Sequence, residues 1–231
     1  MFKKHYQNIL NSVSEKKQML AILIDPDKFN VFETDSFLKT IPKETTHIFV
    51  GGSTVKEGIT KKVIETLKND CTLPIIIFPG DFTQISNDAD GILFLSLLSG
   101  RNPEYLIGQQ IKSVPVLKKL TLEIIPTGYI LIDGENESAV ARVTNTSAIS
   151  QQSIDTIIDT AIAGEYLGMK LIYLEAGSGA KTPVNERVIK AVSEAISIPL
   201  IVGGGIKTED QKRNAYASGA NMIVMGTAFE K

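Results

Sequence analysis

The chain has 231 residues, of which 43% are apolar and 22% are charged, and its formal net charge is −2. These values are typical of a soluble globular protein, and the small net charge gives no basic field for nucleic acid. The single cysteine, Cys71, excludes an internal disulfide framework, and the two histidines, His5 and His47, are too few for a zinc site built from several imidazoles.

Apolar segments long enough for a membrane span or a signal peptide are not evident in the sequence. The apolar run at residues 73–78 is far shorter than the ~20 residues that cross a bilayer. The N-terminal sequence Met1-Phe-Lys-Lys-His-Tyr6 lacks the apolar stretch of a signal peptide. We therefore expect a cytoplasmic protein, in which Cys71 is a small, partly buried apolar residue.

Short apolar runs alternate with longer amphipathic segments along the chain. Residues 5–16 are predicted to form a helix before the first strand. The predicted strands are residues 19–24, 47–50, 73–78, 91–95, 120–126, 171–175, 200–202 and 222–225. The clearest predicted helices between them are residues 55–68, 154–167, 184–196 and 208–218. The third of these follows the helix-start signal Thr182-Pro183, and the fourth is expected to end at Gly219 as its C-cap glycine.

Eight strands with interleaved helices favour a closed barrel over an open sheet. Several strands are apolar at consecutive positions, as in Ile75-Ile76-Ile77, which is typical of a parallel sheet covered on both faces. We therefore predict an α/β fold, a single-domain (β/α)8 TIM barrel over residues 1–231. Asn, Asp, Ser and Gln dominate residues 81–90, so the third helix is expected to be replaced by an irregular segment.

Three glycine-rich segments follow the last three predicted strands. They are Glu175-Ala-Gly-Ser-Gly-Ala180, Gly203-Gly-Gly-Ile206 and Gly226-Thr227. Active sites of such barrels lie at the C-terminal ends of the strands, and glycine lets backbone N–H groups approach an anion closely. The pattern predicts a phosphate site without identifying a reaction. The alternative is that these glycines serve tight turns only.

Two segments on the other side of the predicted barrel mouth carry oxygen ligands. Asp25 ends the first strand in Asp25-Pro-Asp-Lys28, and Ser53 follows the second strand in Gly51-Gly-Ser53. One carboxylate and one hydroxyl suit Mg²⁺ if substrate phosphates and water complete its coordination shell. The alternative is that Asp25 and Ser53 only cap turns or helices.

Glu175 is a carboxylate at the end of an otherwise apolar strand. Such a group is costly there unless it is paired or functional, so we interpret Glu175 as a general base. A structural carboxylate held in a salt bridge is the alternative. Tyr129, after Pro126-Thr-Gly, is predicted to present a further hydroxyl from the end of the fifth strand. Asp81, after Phe78-Pro-Gly, is interpreted as a turn residue.

At these residues the sequence resembles the geranylgeranylglyceryl phosphate synthases and heptaprenylglyceryl phosphate synthases. The matching segments run in order through nearly the whole chain. They are Leu23-Ile-Asp-Pro-Asp-Lys28, Gly51-Gly-Ser53, Phe78-Pro-Gly80, Ser96-Leu-Leu-Ser99, Ile125-Pro-Thr-Gly-Tyr129, Tyr173-Leu-Glu-Ala-Gly-Ser-Gly179, Val202-Gly-Gly-Gly-Ile206 and Met225-Gly-Thr227. The segment that begins at Tyr173 is the most specific of them.

The resemblance implies transfer of a prenyl group from a long-chain prenyl diphosphate to the hydroxyl of sn-glycerol 1-phosphate, with release of pyrophosphate. Geranylgeranyl diphosphate is the expected donor. By position, Asp25 and Ser53 would hold Mg²⁺, and Glu175 would accept the proton of the attacking hydroxyl. The residues that would hold glycerol phosphate are Tyr173, Leu174, Glu175, Ala176, Gly177, Ser178, Gly179, Gly204, Gly205, Gly226 and Thr227. The irregular third helix would open a groove for the prenyl tail.

The resemblance also implies a homo-oligomer with at most peripheral membrane contact. The family continues beyond Phe229-Glu-Lys231 with a final helix, so we expect that helix to be missing from this sequence. Two other functions stay open at this point. The first is an FMN-dependent oxidoreductase, because Gly-Gly-Gly-Ile and Met-Gly-Thr also occur in flavin sites. The second is a non-catalytic protein that binds a phosphate ligand.

Overall fold

Eight parallel strands close into a barrel in the computed structural model, which describes residues 4–229. The strands are β1 (Met19–Ile24), β2 (Thr45–Val50), β3 (Ile75–Ile77), β4 (Gly91–Leu97), β5 (Glu123–Leu131), β6 (Leu171–Glu175), β7 (Leu200–Gly203) and β8 (Met222–Met225). Each strand pairs with the next, and β1 pairs with β8, with Ile22 opposite Met225. The predicted TIM barrel is confirmed.

Helices cover the outer side of the barrel and parts of its two ends. The α-helices of the described residues are α1 (Lys4–Ser14), α2 (Thr34–Thr40), α3 (Ile59–Asp70), α4 (Gln109–Leu117), α5 (Ala139–Thr144), α6 (Ile154–Tyr166), α7 (Glu186–Ala195) and α8 (Glu209–Ala217). A π-helical turn, Glu104–Gly108, leads into α4, and 3-10 turns cover Val31–Glu33 and Phe82–Gln84. The segment predicted to be irregular, 81–90, holds one 3-10 turn and no α-helix, which confirms that the third helix is replaced.

Capping residues explain where the last two helices begin. The side chain of Thr208 and that of Gln211 form a reciprocal capping box at the start of α8, as the N-cap preference for Thr predicts. By contrast, α7 begins two residues later than predicted, at Glu186. Its N-cap is Asn185, whose side chain accepts a backbone hydrogen bond in the first turn, so Pro183 lies before the helix.

The largest difference from the predicted strands is β5, which begins and ends later than the predicted range 120–126. Pro126 has no N–H to donate, but its carbonyl accepts the N–H of Lys170 at 2.8 Å, so pairing with β6 continues beyond it. The strand extends to Leu131. Tyr129 therefore lies within β5, with its side chain inside the barrel, and not after the strand end as predicted.

Successive residues of each strand point alternately into the barrel and toward the helices. In β1, Ala21 packs inside the barrel and Ile22 packs against the helical layer, and both are 0% exposed. In β6, Tyr173 likewise packs inside the barrel and Leu174 packs against the helical layer. Both faces are thus apolar, which explains the consecutive apolar residues. The same alternation turns Glu175, two residues after Tyr173, toward the barrel mouth.

The N-terminal end of the barrel is covered by α1. The buried carboxylate of Glu123, at the start of β5, accepts the N–H of His5 at 2.7 Å and that of Tyr6 at 3.1 Å. A carboxylate in this position is stabilised by the positive end of the helix dipole. Nearby in β2, burial and, to a lesser degree, His5 lower the pKa of His47 to about 4. Because α1 closes this end of the barrel, open space is expected at the opposite end.

Two further sequence interpretations concern the chain as a whole. No helix within residues 4–229 combines the length and the apolar character that a bilayer span needs. Cys71, which follows α3, is half-buried with a free thiol, as interpreted from the sequence. The described part of the chain leaves out residues 1–3, 230 and 231. The expectation about a final helix concerns the C-terminal end and therefore lies outside the described residues.

Candidate active site

A cavity of about 440 Å³ opens at the C-terminal ends of the strands. Its polar part is lined by Asp25, Lys28, Gly52, Ser53, Glu175, Ser178, Gly204, Gly205, Lys207, Gly226 and Thr227. Its apolar part is lined by residues that include Phe82, Ile85, Ile92, Leu93, Phe94, Leu95, Tyr105 and Val140. The barrel mouth therefore joins a polar end, suited to charged groups, to an apolar arm.

Glu175, the last residue of β6, is 5% exposed. Burial raises the pKa of Glu175 to about 7, while the N–H of Gly177, which donates to Oε1 at 2.7 Å, and the nearby hydroxyl of Tyr173 act in the opposite direction. The Tyr173 hydroxyl makes no hydrogen bond of standard geometry within residues 4–229. It therefore lowers the pKa of Glu175 less than the N–H of Gly177 does. No cation of the described residues contributes to the shift, which argues against a salt-bridged structural carboxylate. Such a group is suited to accept a proton at neutral pH.

An aromatic cluster lies next to this carboxylate. The ring of Phe78 stacks on Tyr173 with centroids 5.2 Å apart and planes 7° apart, and Tyr129 lies 5.4 Å from Tyr173. Gly203 of β7 faces the cluster, and a Cβ there would lie 2.3 Å from the Tyr173 hydroxyl. Burial raises the pKa of both tyrosines well above the usual 10, so their hydroxyls remain protonated. The rings keep water away from Glu175, which explains why burial dominates its pKa.

The loops that follow β6, β7 and β8 contact one another. Gly204 has a φ of +81°, and a Cβ there would lie 2.4 Å from Oε1 of Glu175 and 2.6 Å from the nitrogen of Gly177. Only glycine fits this contact. The hydroxyls of Ser178 and Thr227 are 3.4 Å apart and connect the first loop to the third. The three glycine-rich segments noted in the sequence therefore meet at one place.

Several backbone N–H groups of these loops border the cavity without a protein acceptor. Within residues 4–229, the N–H groups of Ser178, Gly204, Gly205 and Thr227 donate no hydrogen bond, and all four residues line the cavity. Lys207 adds a positive charge at the same rim, where its Nζ lies 3.4 Å from the carbonyl of Ala180. Unpaired N–H groups that converge on a concave surface, with a cation beside them, form an anion site.

The loops after β1 and β2 form the opposite side of the polar end. Oδ1 of Asp25 accepts the N–H of Asp27 at 3.2 Å, and Oδ2 lies 3.4 Å from Nζ of Lys28. The backbone of Gly52 packs closely against this carboxylate, because a Cβ there would lie 3.0 Å from Oδ1. Ser53 follows Gly52 and lines the same cavity. The two predicted metal ligands thus lie on loops that touch.

These donors fit a hard divalent cation such as Mg²⁺, since both supply oxygen and the side chain of Asp25 is one-quarter exposed at the cavity. Within the described part of the chain, no group of three or more His, Cys, Asp or Glu side chains could hold a metal ion by itself. A cation held by Asp25 and Ser53 would therefore take most of its ligands from a bound phosphate ester and water, which is usual for Mg²⁺.

The apolar arm leaves the barrel at β4, beside the three-residue strand β3. Leu93 and Leu95 of β4 face the barrel interior, whereas Ile92 and Phe94 face outward, and all four line the cavity. The arm can pass from the inside to the outside because a short 3-10 turn takes the place of a third helix. Asp81 caps this turn by accepting the N–H of Thr83 at 2.7 Å, as expected of a turn residue. The arm suits an extended hydrocarbon chain.

Most of the predicted site residues border the cavity. Those that line it are Asp25, Ser53, Tyr173, Glu175, Ser178, Gly204, Gly205, Gly226 and Thr227. Those outside its lining are Leu174, Ala176, Gly177 and Gly179. The side chain of Leu174 is fully buried toward the helices, the N–H of Ala176 donates to Gly203 at 3.0 Å, and the N–H of Gly177 donates to Glu175. These contacts position the loop after β6.

Three polar residues at or near this site were not predicted from the sequence: Lys28, Gln84 and Lys207. Lys28 and Lys207 line the polar end of the cavity, and each stands beside a segment already noted: Lys28 in Asp-Pro-Asp-Lys and Lys207 after Gly-Gly-Gly-Ile. A cation next to an anion-binding glycine segment is the signal that could have identified them. Gln84 is 2% exposed and contacts the loop after β2. No motif marks Gln84 in the irregular segment.

Comparisons with known proteins agree with one another. The model of the PcrB family matches residues 11–231. A geranylgeranylglyceryl phosphate synthase of Zunongwangia profunda is 53% identical over 96% of this chain and 95% of its own length, and one of Pyrococcus horikoshii is 42% identical over 94% and 85%. The crystal structure of (S)-3-O-geranylgeranylglyceryl phosphate synthase from Thermoplasma acidophilum in complex with sn-glycerol-1-phosphate is similar, with a TM-score of 0.90 and 32% identity, covering 100% of this chain and 93% of the other.

Proposed function

Because the chain belongs to the PcrB family, we propose that it is a prenyltransferase that joins a long-chain prenyl group to the hydroxyl of sn-glycerol 1-phosphate. The donor is a prenyl diphosphate, with geranylgeranyl diphosphate as the expected one, and the product is an ether-lipid precursor. The single observation that carries the proposal is the position of Glu175. Its buried carboxylate, with a pKa of about 7, lies between the glycine-rich loops and the entrance of the apolar arm.

Each part of the reaction has a counterpart in the cavity. The phosphate of glycerol 1-phosphate is bound by the N–H groups of Ser178, Gly204, Gly205 and Thr227, with Gly226 lining the same pocket. Gly204 packs against Glu175, so a phosphate on this loop places the glycerol hydroxyl beside the carboxylate. Binding that fixes the hydroxyl next to its base replaces an unfavourable encounter in solution.

The bonds that form and break are then defined. The glycerol oxygen forms a C–O bond to the first carbon of the prenyl group, and the bond from that carbon to the diphosphate oxygen breaks. The hydroxyl proton moves to Glu175, and the electron pair of the broken bond leaves with pyrophosphate. The protonated hydroxyl of Tyr173 lies beside the carboxylate, whose Oε1 is held by the N–H of Gly177 at 2.7 Å. Proton removal by a positioned base contributes typically about 10²- to 10⁴-fold to the rate.

The cation in this proposal is Mg²⁺, held by Asp25 and Ser53 together with the diphosphate. When bound, Mg²⁺ neutralises charge that develops on the leaving pyrophosphate. Lys28, whose Nζ lies 3.4 Å from Asp25 Oδ2, adds a second positive charge at this end. The diphosphate therefore binds between the loops after β1 and β2, and its prenyl chain extends along the apolar arm past Leu93 and Phe94.

Incubation of the protein with labelled sn-glycerol 1-phosphate, MgCl₂ and prenyl diphosphates of several lengths tests the proposal. The expected result is a label that becomes soluble in organic solvent and depends on both Mg²⁺ and the donor. Mass spectrometry of the extract then gives the preferred prenyl length. No organic-soluble product with any donor would overturn the proposal. Membership in the PcrB family leaves the flavin alternative without support, since that alternative rested on short glycine segments alone.

We also propose that the protein acts as a homo-oligomer in the cytoplasm and contacts membranes only peripherally. Ile107 and Ile111 are 55% and 64% exposed and lie close in the chain to the cavity-lining residues Gln109 and Gln110, so they supply apolar surface for contact with a membrane. Size-exclusion chromatography with light scattering tests the oligomeric state, and a mass equal to one chain at every concentration would contradict it.

A further inference from the structure

Gln84 is a buried amide in the 3-10 turn that replaces the third helix. It is 2% exposed, and both ends of its side chain contact the same residue of the loop after β2. Its Nε2 donates to the carbonyl of Gly52 at 2.9 Å, and its Oε1 accepts the N–H of Gly52 at 3.5 Å, a longer and weaker contact. Within residues 4–229, these are the only hydrogen bonds made by the backbone of Gly52.

Gly52 lies between the two groups proposed to hold the cation. On one side its backbone packs against Oδ1 of Asp25, where a Cβ would lie 3.0 Å away. On the other side it is bonded to Ser53. Gly80 also packs against this loop, because a Cβ there would lie 2.2 Å from the Gly52 carbonyl and 2.9 Å from that of Ser53. The loop is thus held at close contact from two directions.

Without the amide of Gln84, the remaining hydrogen bonds of this loop within residues 4–229 would lie at its two ends. The N–H of Gly51 donates to the carbonyl of Ile24 at 3.0 Å, and the N–H of Lys56 lies 3.4 Å from Oδ1 of Asp27. Neither contact fixes the carbonyl of Gly52. Gly52 is half-buried at the cavity, and a backbone carbonyl that loses its donor there must turn to water or another donor, so the loop would shift. Such a shift would move Ser53 relative to Asp25.

We infer that Gln84 is a positioning residue of the magnesium diphosphate site, which it serves by fixing Gly52 between Asp25 and Ser53. The inference rests on the function proposed above. It also assigns a role to the irregular segment, whose 3-10 turn carries this amide to the loop after β2. Gln84 reaches the cation only through the loop, and it has no contact with the glycerol phosphate end of the cavity in the described residues.

Gln84→Met tests the inference, since methionine has a similar volume, no hydrogen-bond donor and only a weakly accepting sulfur. Isothermal titration of the variant with pyrophosphate in MgCl₂ is expected to give an affinity about tenfold weaker than that of the parent, as loss of one partly buried hydrogen bond implies. The KM for Mg²⁺ in the turnover assay should rise in parallel. The affinity for glycerol 1-phosphate should stay within about twofold, since that ligand binds at the other loops.

Gln110→Met is the matched control. Gln110 is also a buried glutamine, and its amide donates to the carbonyl of Leu95, but it lines the apolar arm. Its replacement should leave the affinity for magnesium pyrophosphate within about twofold of the parent value, whatever it does to stability or to use of the prenyl donor. Equal weakening of pyrophosphate binding in both variants would mean general loosening of the barrel, and it would overturn the inference.

A second variant covers the case in which Gln84→Met does not fold. Gln84→Asn keeps the amide but is shorter by one methylene, so it cannot reach Gly52. Weaker binding of magnesium pyrophosphate in that variant supports the inference, and binding equal to that of the parent overturns it. Failure of the proposed function is separate, because it would appear in the parent protein as absence of any organic-soluble product.

Discussion

Replacement of Glu175 by glutamine removes the proposed base and keeps the shape of the side chain. In the folded protein the pKa of Glu175 is about 7, whereas the ordinary value is 4.5. The difference of about 2.5 units corresponds to about 3 kcal/mol, and because the group is fully buried this figure needs no reduction for solvent screening. The carboxyl group is protonated in the folded state at a pH where it is ionised in the unfolded chain.

The sign of the effect on stability follows from proton binding. Between about pH 4.5 and pH 7 the folded state holds a proton that the unfolded chain has lost, so the free energy of unfolding falls as the pH rises. The parent should lose up to about 3 kcal/mol of stability over this interval through Glu175 alone. Glu175→Gln has no such titration, so it should be more stable than the parent at about pH 8.

Activity should change in the opposite direction. A base must be ionised, so log kcat/KM of the parent should rise with a slope near 1 below about pH 7 and level off above it. Glu175→Gln should lose about 10²- to 10⁴-fold in kcat and show no such rise. The assay is the formation of organic-soluble label across the pH range, together with denaturant melts of both proteins.

Glu123→Gln is the matched control for this experiment. Glu123 is also a buried carboxylate, 4% exposed, but it lies at the opposite end of the barrel and holds the N-terminus of α1. Its replacement should leave the slope of the pH profile unchanged. Near-normal turnover in Glu175→Gln, or a parent profile that is flat below about pH 7, would refute the assignment of the base.

Four other predictions concern the rest of the barrel. Asp25→Ala should abolish turnover and weaken the binding of magnesium pyrophosphate. Its affinity for glycerol 1-phosphate, measured by calorimetry, should stay unchanged. Unchanged turnover would contradict the role of Asp25. Gly204→Ala should lose glycerol phosphate binding because its Cβ has no room. Its control, Gly58→Ala, has a similar φ of +83° and no neighbour within 4 Å, so it should cost only roughly 1 to 2 kcal/mol in a urea melt. His47, with its pKa lowered to about 4, should contribute stability that is present above about pH 6.5 and lost as the pH falls toward 4, and His47→Gln should show a flatter acid melt. Ile85→Phe narrows the apolar arm, so the product distribution by mass spectrometry should shift to shorter prenyl chains.

The barrel was predictable because its pattern is simple. Strands buried on both faces are apolar at every position, and β1, β6 and β8 have the predicted limits for this reason. The predicted C-terminal limit of β5, Pro126, was wrong because a parallel strand tolerates a residue whose carbonyl alone is paired. The start of α7 depended on which of two neighbouring signals, Pro183 or Asn185, acts as the cap.

The candidate site was predictable where residue type and position coincide. Glycines after the last strands and a lone carboxylate at a strand end identified the polar end of the cavity. Within the segment 173–179, the sequence could not show which residues line the cavity. This depends on the alternation of side chains along β6 and on which N–H groups already have acceptors. Gln84 could not be found at all, since its partner Gly52 is 32 residues away in the sequence and only the closed barrel brings them together.

A crystal structure of the protein with bound sn-glycerol 1-phosphate is the most direct test of the account. The expected density places the phosphate within hydrogen-bond distance of the N–H groups of Gly204, Gly205 and Thr227, and a glycerol hydroxyl beside Glu175. A phosphate bound outside these loops, or a glycerol hydroxyl directed away from Glu175, would contradict it.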